Sequence, residues 1–353
     1  MTQTATHNEP ILSGGVRGQY LGVETTLGFS ALDQELNTLR SGCGIFEMNW
    51  RALISVTGND RVRWLHNMVT NNVRDLPLNG GAYNFVLNAQ GRILADLSVF
   101  NRGELLLLET DRGQVETLLT TLRRFIIMDK VELTDLGNEI TAVGVSGPGS
   151  AETLAACGLE VQDMQHLEIR DTAFGEAAVQ IICGGANKPH WFELWSDRAH
   201  STAIAARLIG SGAQPVGVKA LEVWRILHGI PQYGKDIRDR DLPQETGQTQ
   251  ALNFNKGCYV GQEIVERIRS RGQVHRKLTG FEFSGAAPAI GKFEADGRTF
   301  AEITSVAPVP SESGAGEIGL GYVRVESVPE NRVLDLNGVK ARVVDLPFSM
   351  DAF

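Results

Sequence analysis

"NKGCYVGQEIVERIRSRG", residues 255–272, sets a thiol (Cys258), an amide (Gln262) and a carboxylate (Glu263) between Lys256 and a run of arginines, Arg267, Arg269 and Arg271. A helix is expected to begin near Gly261. Just beyond the stretch the composition changes. From about Leu278, "LTGFEFSG", "GKFEADGRTFAEITSVAPV", "GEIGLGYVRVE" and "NRVLDLNGVKARVVDLPF" are short alternating runs split by Gly, Pro and Asn, the pattern of a small all-β sandwich or barrel. The stretch thus marks a boundary between modules, where ligand clefts are common.

Upstream the periodicities differ. "ALISVTGND" alternates as a strand, and "DRVRWLHNMVT" has helical spacing with Asp60 as candidate N-cap. "GGAYNFVLNAQGRILADLSVF" reads as a hairpin turning at "NAQG"; "ELLLLET" continues the sheet, and "RGQVETLLTTLRRFIIM" is an amphipathic helix. A second unit follows, with strand, Gly-Pro-Gly turn and helix in "EITAVGVSGPGSAETLAACGL". That turn lacks the lysine and the glycine spacing of phosphate loops. "AAVQIICGG" and "HWFELWS" form a hairpin, and "DRAHSTAIAARLIGSGA" and "KALEVWRILHGIP" form helices. The expected class is α+β, with a polar arm over 1–28, two α+β modules over 29–275 (the second from near 138) and a β-barrel over 276–353.

Charge localises any anion site. The chain of 353 residues carries 33 Lys+Arg against 42 Asp+Glu, a formal −9, which argues against a surface that coats nucleic acid or anionic membrane. Between residues 253 and 277, six Lys/Arg stand against two Glu, a net +4 that leaves −13 elsewhere. Without interleaved aromatics the strip is no nucleic-acid platform, so no stable nucleic-acid complex is expected; an anionic tail of a small ligand or a protein partner suits it better than RNA, and a solvated, salt-bridged face is the plain alternative. Cys43, Cys157, Cys183 and Cys258 lack C-x-x-C spacing, and no leader or apolar span is evident, so a reduced cytoplasmic setting is expected. The seven histidines do not cluster, so no stable metal is expected and His66, His228 and His275 read as structural.

"KGCYVGQE" (Lys256, Gly257, Cys258, Tyr259, Gly261, Gln262, Glu263) resembles the signature of the YgfZ-like folate-binding proteins, which belong with the aminomethyltransferase (T-protein) of the glycine cleavage system. The resemblance runs from about Leu32. "GAYNFVLNAQGRILADLSVF" is similar to the T-protein block presenting a tyrosine and a catalytic aspartate, here Tyr83 and Asp96; "HWFELW" to the block whose glutamate holds the pterin, here Glu193; "WRILHGIPQYGKDI" to the block with a folate-contacting arginine and a following aspartate, here Arg225 and Asp236. The resemblance implies a cloverleaf of two α+β modules and a β-barrel around a central folate channel. It also implies tetrahydrofolate, or a one-carbon derivative, as ligand.

Chemistry gives each residue two readings. A carboxylate such as Glu193 accepts the paired donors of a reduced pterin bidentately, or is a solvent-facing strand residue. Arg225 holds folate, or complements the end of its helix. Asp96 shares parity with Leu94, which places it on an apolar face; there a carboxylate is costly unless it has a role, and the alternative is an outward polar position. Lys256 and the helix start favour a Cys258 thiolate, whereas a lone cysteine is most often a packing residue. Gln262 and Glu263 either act in the site or open a helix. The function implied is a tetrahydrofolate-binding accessory factor for iron–sulfur cluster assembly or repair, and thereby tRNA modification, with iron–sulfur client or assembly proteins as partners. Two alternatives stay open: an aminomethyltransferase acting on a lipoyl carrier protein, with Asp96 assisting transfer, and a folate-independent docking scaffold.

Overall fold

The computed structural model describes residues 10–137, 139–184, 190–272, 274–311 and 314–349; residues 1–9 of the expected polar arm lie outside these. The chain divides into two compact units, each discontinuous. One is built from residues up to His66, Asn72–Tyr83 and Leu97–Leu221; the other from Asn67–Asn71, Asn84–Asp96 and the chain from Glu222 onward.

In the first unit the stretch expected as a polar arm forms, from residue 16, an antiparallel hairpin of β1 (Val16–Tyr20) and β2 (Val23–Gly28). Its polar character conceals an internal anchor: Arg17 Nη1 donates to the buried Glu47 at 2.6 Å, and the buried Thr25 and Thr26 hydroxyls donate to the same carboxylate. There follow α1 (Leu32–Ser41), β3 (Gly44–Glu47), β4 (Arg51–Thr57), α2 (Arg61–Met68), β5 (Gly81–Leu87), β6 (Ile93–Asn101), β7 (Leu106–Asp111), α3 (Val115–Arg123) and β8 (Glu132–Asp135). Strands β5-β6-β7-β4-β8 make one sheet in that order. Asp60 does not cap α2 with its side chain, because its carboxylate accepts from Lys130 N–H and from Arg63. Helix α3 is shorter than its sequence pattern suggests. Val115, Leu118, Leu119 and Leu122 form the buried stripe, and then Phe125 and Ile126 N–H bond three residues back, tightening the chain into a turn. Ile127 and Met128 consequently stand exposed.

A second sheet of this unit contains β9 (Ile140–Ser146), β10 (Ile169–Phe174), β11 (Ala177–Cys183), β12 (Trp191–Asp197) and β13 (Gln214–Pro215), in the order β10-β11-β12-β9-β3-β13. All pairs are antiparallel except β13 with β3. Helices α4 (Ser150–Ala156) and α5 (Arg198–Gly210) contribute Leu154, Ile204, Ala205 and Leu208 to a core that also takes Val143, Val145, Phe192 and Leu194 from the sheet. Asp197 caps α5 by accepting from His200 N–H.

The second unit carries most of α6 (Val218–Leu227), then α7 (Gln262–Arg271) and the six strands β14 (Arg276–Phe283), β15 (Gly291–Ala295), β16 (Arg298–Ser311), β17 (Gly314–Arg324), β18 (Val333–Leu336) and β19 (Val339–Val344). They form one all-antiparallel sheet, β15-β16-β17-β14-β19-β18, over a core including Phe281, Ile303, Leu336 and Ala341. The turn-side ends of β5 and β6 also belong here. Their turn closes by Gly91 N–H to the Asn88 carbonyl, and α7 begins against it. Gly261 has φ +84°, and a Cβ there would lie 2.6 Å from the Asn88 carbonyl oxygen. Gly261→Ala therefore meets both a backbone penalty and a collision with main chain that cannot swing away. A loss of about 2–3 kcal/mol is expected in denaturant unfolding; an unchanged midpoint would show that α7 starts elsewhere.

Candidate functional site

In the first unit the alternation of β12 decides the setting of Glu193. Phe192 and Leu194 face the core under α4 and α5, so Trp191, Glu193 and Trp195 share the opposite face. Opposite Glu193 in the ladder sits Gly144, where a side chain would overlap the Phe46 ring, and Phe46 in turn lies 4.6 Å from the Trp191 ring. Glu193 is 2% exposed, which removes the solvent-facing alternative. Its oxygens are held separately: Trp191 Nε1 donates to Oε1 at 3.0 Å and Trp195 Nε1 to Oε2 at 3.1 Å. Since a carboxylate oxygen accepts about two hydrogen bonds, this leaves a fixed pair of acceptors in an aromatic surround. Tyr83 lies half-buried on β5 in the same unit.

In the second unit Arg225 and Asp236 are joined. Arg225 Nη1 donates to Asp236 Oδ2 at 2.7 Å and to the Ile230 carbonyl; Nε and Nη2 reach the two oxygens of Glu222; Nη2 also donates to Ser305 Oγ at 2.9 Å. All five guanidinium N–H groups thus have acceptors within the unit. Asp236, 0% exposed, accepts on its other oxygen from Thr304 and Ser305 hydroxyls, so the pair braces α6 against β16. Burial opposes ionisation of Glu222, yet Arg225 and Lys235 outweigh it and hold the carboxyl at about 2. A depressed carboxyl contributes stability above its unfolded pKa and loses it as the pH falls through the folded one. Unfolding free energy is therefore expected to drop by up to about 3 kcal/mol between pH 4.5 and 2, and Glu222→Gln should flatten that slope in a pH series of denaturant melts.

Asp96 is half-buried on β6, and the fully buried residues around it, Ile93, Ala95 and Leu97, have the other parity. The expectation that it lies on the apolar face is corrected accordingly: it shares with Leu94 the more open side. Burial, with Asp96 next in size among the causes, pushes the Tyr233 hydroxyl up to about 12, and that hydroxyl donates to the Leu94 carbonyl at 2.7 Å. Tyr233 lies in the block quoted for Arg225 and Asp236, yet nothing local in "PQYGKD" tells where a phenol 139 residues from its acceptor will reach.

The motif loop separates its residues by burial. Lys256 is 9% exposed; its ammonium donates to the carbonyls of Val69 at 2.5 Å and Asn71 at 2.8 Å and lies 5.0 Å from the Tyr259 ring centroid. It ties the loop to the segment after α2. Tyr259 is buried, and burial pushes its hydroxyl up to about 12. Cys258 between them is exposed, as is Gly257. Gln262 is half-buried, and Glu263 is exposed with Arg267 at 3.7 Å, the ordinary opening of a helix. Arg269 pairs with Glu266 and lies over the Phe254 ring. Cys43 is buried, Cys157 and Cys183 are half-buried, and all three pack in or against the first unit's core; burial pushes the Cys183 thiol up to about 11. Cys258 is thus the exposed thiol of the four. No helix among the described residues is long and apolar enough to cross a membrane.

A sequence profile of the GCVT N-terminal domain matches residues 9–256. An aminomethyltransferase of Rubrobacter xylanophilus is 26% identical over 353 residues, covering 99% of this chain and 94% of its own. One from Exiguobacterium sibiricum is 23% identical with 99% of each covered. Among solved structures, the glycine cleavage system aminomethyltransferase T of Bartonella henselae superposes with a TM-score of 0.84 at 22% identity, covering 97% of this chain and 96% of that one, so the mixed α/β fold is shared.

Proposed function

Since this chain belongs to the family of the GCVT N-terminal domain, that of the glycine cleavage T-protein, we propose that it binds tetrahydrofolate or a one-carbon derivative through Glu193. The buried carboxylate carries this reading. Its two oxygens are fixed by separate indole N–H groups, and the remaining lone pairs suit the parallel ring N–H and exocyclic amine of a reduced pterin. Tyr83 is assigned to the same ligand. Arg225, Asp236 and Glu222 are assigned a positioning role, since the guanidinium is already fully engaged.

The protein then serves as an accessory factor for iron–sulfur cluster assembly or repair, in the manner of the YgfZ-like branch, and through cluster-dependent enzymes it supports tRNA modification. Cys258 is its contact with the client: an exposed thiol between two buried anchors, Lys256 and Tyr259, is presented outward by a fixed loop. One thiol is too few to hold a cluster, so partner ligands complete any such site. An aminomethyltransferase is the second reading, favoured by the half-buried Asp96 beside Tyr233.

An anaerobic calorimetric titration with tetrahydrofolate tests the first step, and no binding by folded protein would leave the docking-scaffold reading in its place. Cys258→Ser, introduced into cells lacking the native copy, is expected to lower the activity of cluster-dependent enzymes; full activity would remove the thiol's role. Release of ammonia and methylenetetrahydrofolate from an aminomethyl-loaded lipoyl carrier would favour the transferase instead.

A further inference from the structure

A cleft of about 340 Å³ lies within the second unit, with Arg92, Arg240, Arg276, Lys292 and Arg324 around it and Tyr322 in its wall. We propose that it is a binding site for a small ligand bearing two or more adjacent anionic groups, phosphate or carboxylate. Of these cations Arg276 belongs to the basic strip between residues 253 and 277, and none is assigned to the pterin contact at Glu193, so the site stands independently of that contact.

Charge makes the case. Glu245 and Glu302 also line the cleft, but both are buried and already bound by arginine: Arg238 and Arg240 donate to Glu302 Oε1 at 2.9 and 2.6 Å, and Arg276 lies 3.7 Å from Oε2. One carboxylate cannot neutralise three guanidinium groups. Counting the partners behind the wall, six cations (the five above and Arg238) meet four carboxylates, Asp241, Glu245, Glu302 and Glu326. A net +2 gathers in a concave site of a chain whose total is −9, and such a recess concentrates counter-ions.

Donors are also in surplus. Arg92 gives one N–H to the Arg240 carbonyl, and Arg240 gives one to Glu302. Arg324 uses two, on the Thr299 carbonyl and Glu326. Each keeps further N–H groups of its fork. Lys292 has no hydrogen-bonded side-chain partner among the described residues, and Nε and Nη2 of Arg238 are buried without an acceptor. Arg276 is fixed in place: its guanidinium sits 4.5 Å from the Tyr322 ring centroid while Nη2 donates to Asp241 and Glu245. A fixed cation with only partly engaged cations around it suits a multivalent anion, because the ligand's first charge is held without ordering cost.

Inorganic pyrophosphate and a tri-γ-glutamate peptide are the two probes, titrated calorimetrically into the full chain at about 0.05 M and about 0.3 M salt. Saturable one-to-one binding of either is expected, weaker at the higher salt, and weakened at least about tenfold in Lys292→Glu and in Arg324→Glu. Pyrophosphate alone identifies a phosphate ligand; the peptide alone identifies a polycarboxylate. Binding of neither, or binding equal in wild type and both variants with unchanged unfolding midpoints, overturns the site. Tetrahydrofolate titrated into the same samples separates this outcome from that of the folate reading.

Discussion

Glu193→Gln is expected to weaken tetrahydrofolate binding by about 30- to 1,000-fold, the equivalent of roughly 2–4 kcal/mol for losing a charge-assisted, two-point contact. The substitution keeps the volume of the side chain and so tests charge and acceptor count rather than shape. An amide offers one oxygen where the carboxylate offers two, so its NH2 group must face either Trp191 Nε1 or Trp195 Nε1, donor against donor. That buried mismatch costs about 1–3 kcal/mol of stability on its own. Thermal melts alongside calorimetry separate the two effects. Trp195→Phe supplies the comparison, because it removes one indole donor and keeps the carboxylate; its loss of affinity should be the smaller. Glu193→Gln binding with wild-type affinity in folded protein would take the pterin contact away from this residue.

Arg225→Met should destabilise the second unit by about 3–5 kcal/mol, since it breaks a buried ion pair and leaves Asp236, 0% exposed, without the guanidinium that now binds it. Thr304, Ser305 and the Gln232 N–H still satisfy oxygens of Asp236, which sets the lower end of that range. The double variant Arg225→Met/Asp236→Asn should recover part of the loss, because it removes the stranded charge; a double-mutant cycle in denaturant measures the coupling. The opposite pattern, an unchanged midpoint with folate binding abolished, would restore Arg225 as a direct ligand contact and remove the brace.

Period and punctuation made much of the fold legible. Most strands and helices between Arg51 and Gly210 appear where alternation or helical spacing places them, but α3 stops short at Arg123, and β10 (Ile169–Phe174) lies in a stretch from which no strand was expected. The beginning of the chain was not legible in the same way. "VRGQYLGVETTLG" looks like solvated chain because the group that buries its threonines, Glu47, comes from a strand two elements later. The same reason covers the site. The tryptophan on each side of Glu193 at the same parity is plain in the sequence, but whether that face meets water depends on β9 and Phe46. Arg225 looked available for a ligand because Ser305, which takes one of its N–H groups, lies 80 residues on. Lys256, read as a neighbour of the thiol, is directed at carbonyls 187 and 185 residues earlier. Local sequence specifies the side chain and its strand parity; its partner is set by tertiary packing.

The distance in sequence between Lys256 and the carbonyls it seals has a consequence for synthesis. At roughly 5–20 residues per second, a ribosome takes on the order of ten to forty seconds to travel from Val69 to Lys256. For most of that interval the segment after α2 and the turn at Asn88–Gly91 exist without the loop and helix that later pack on them. The nascent chain therefore waits half-assembled, and any nascent-chain chaperone this protein uses has that interval, and that uncovered turn, in which to act.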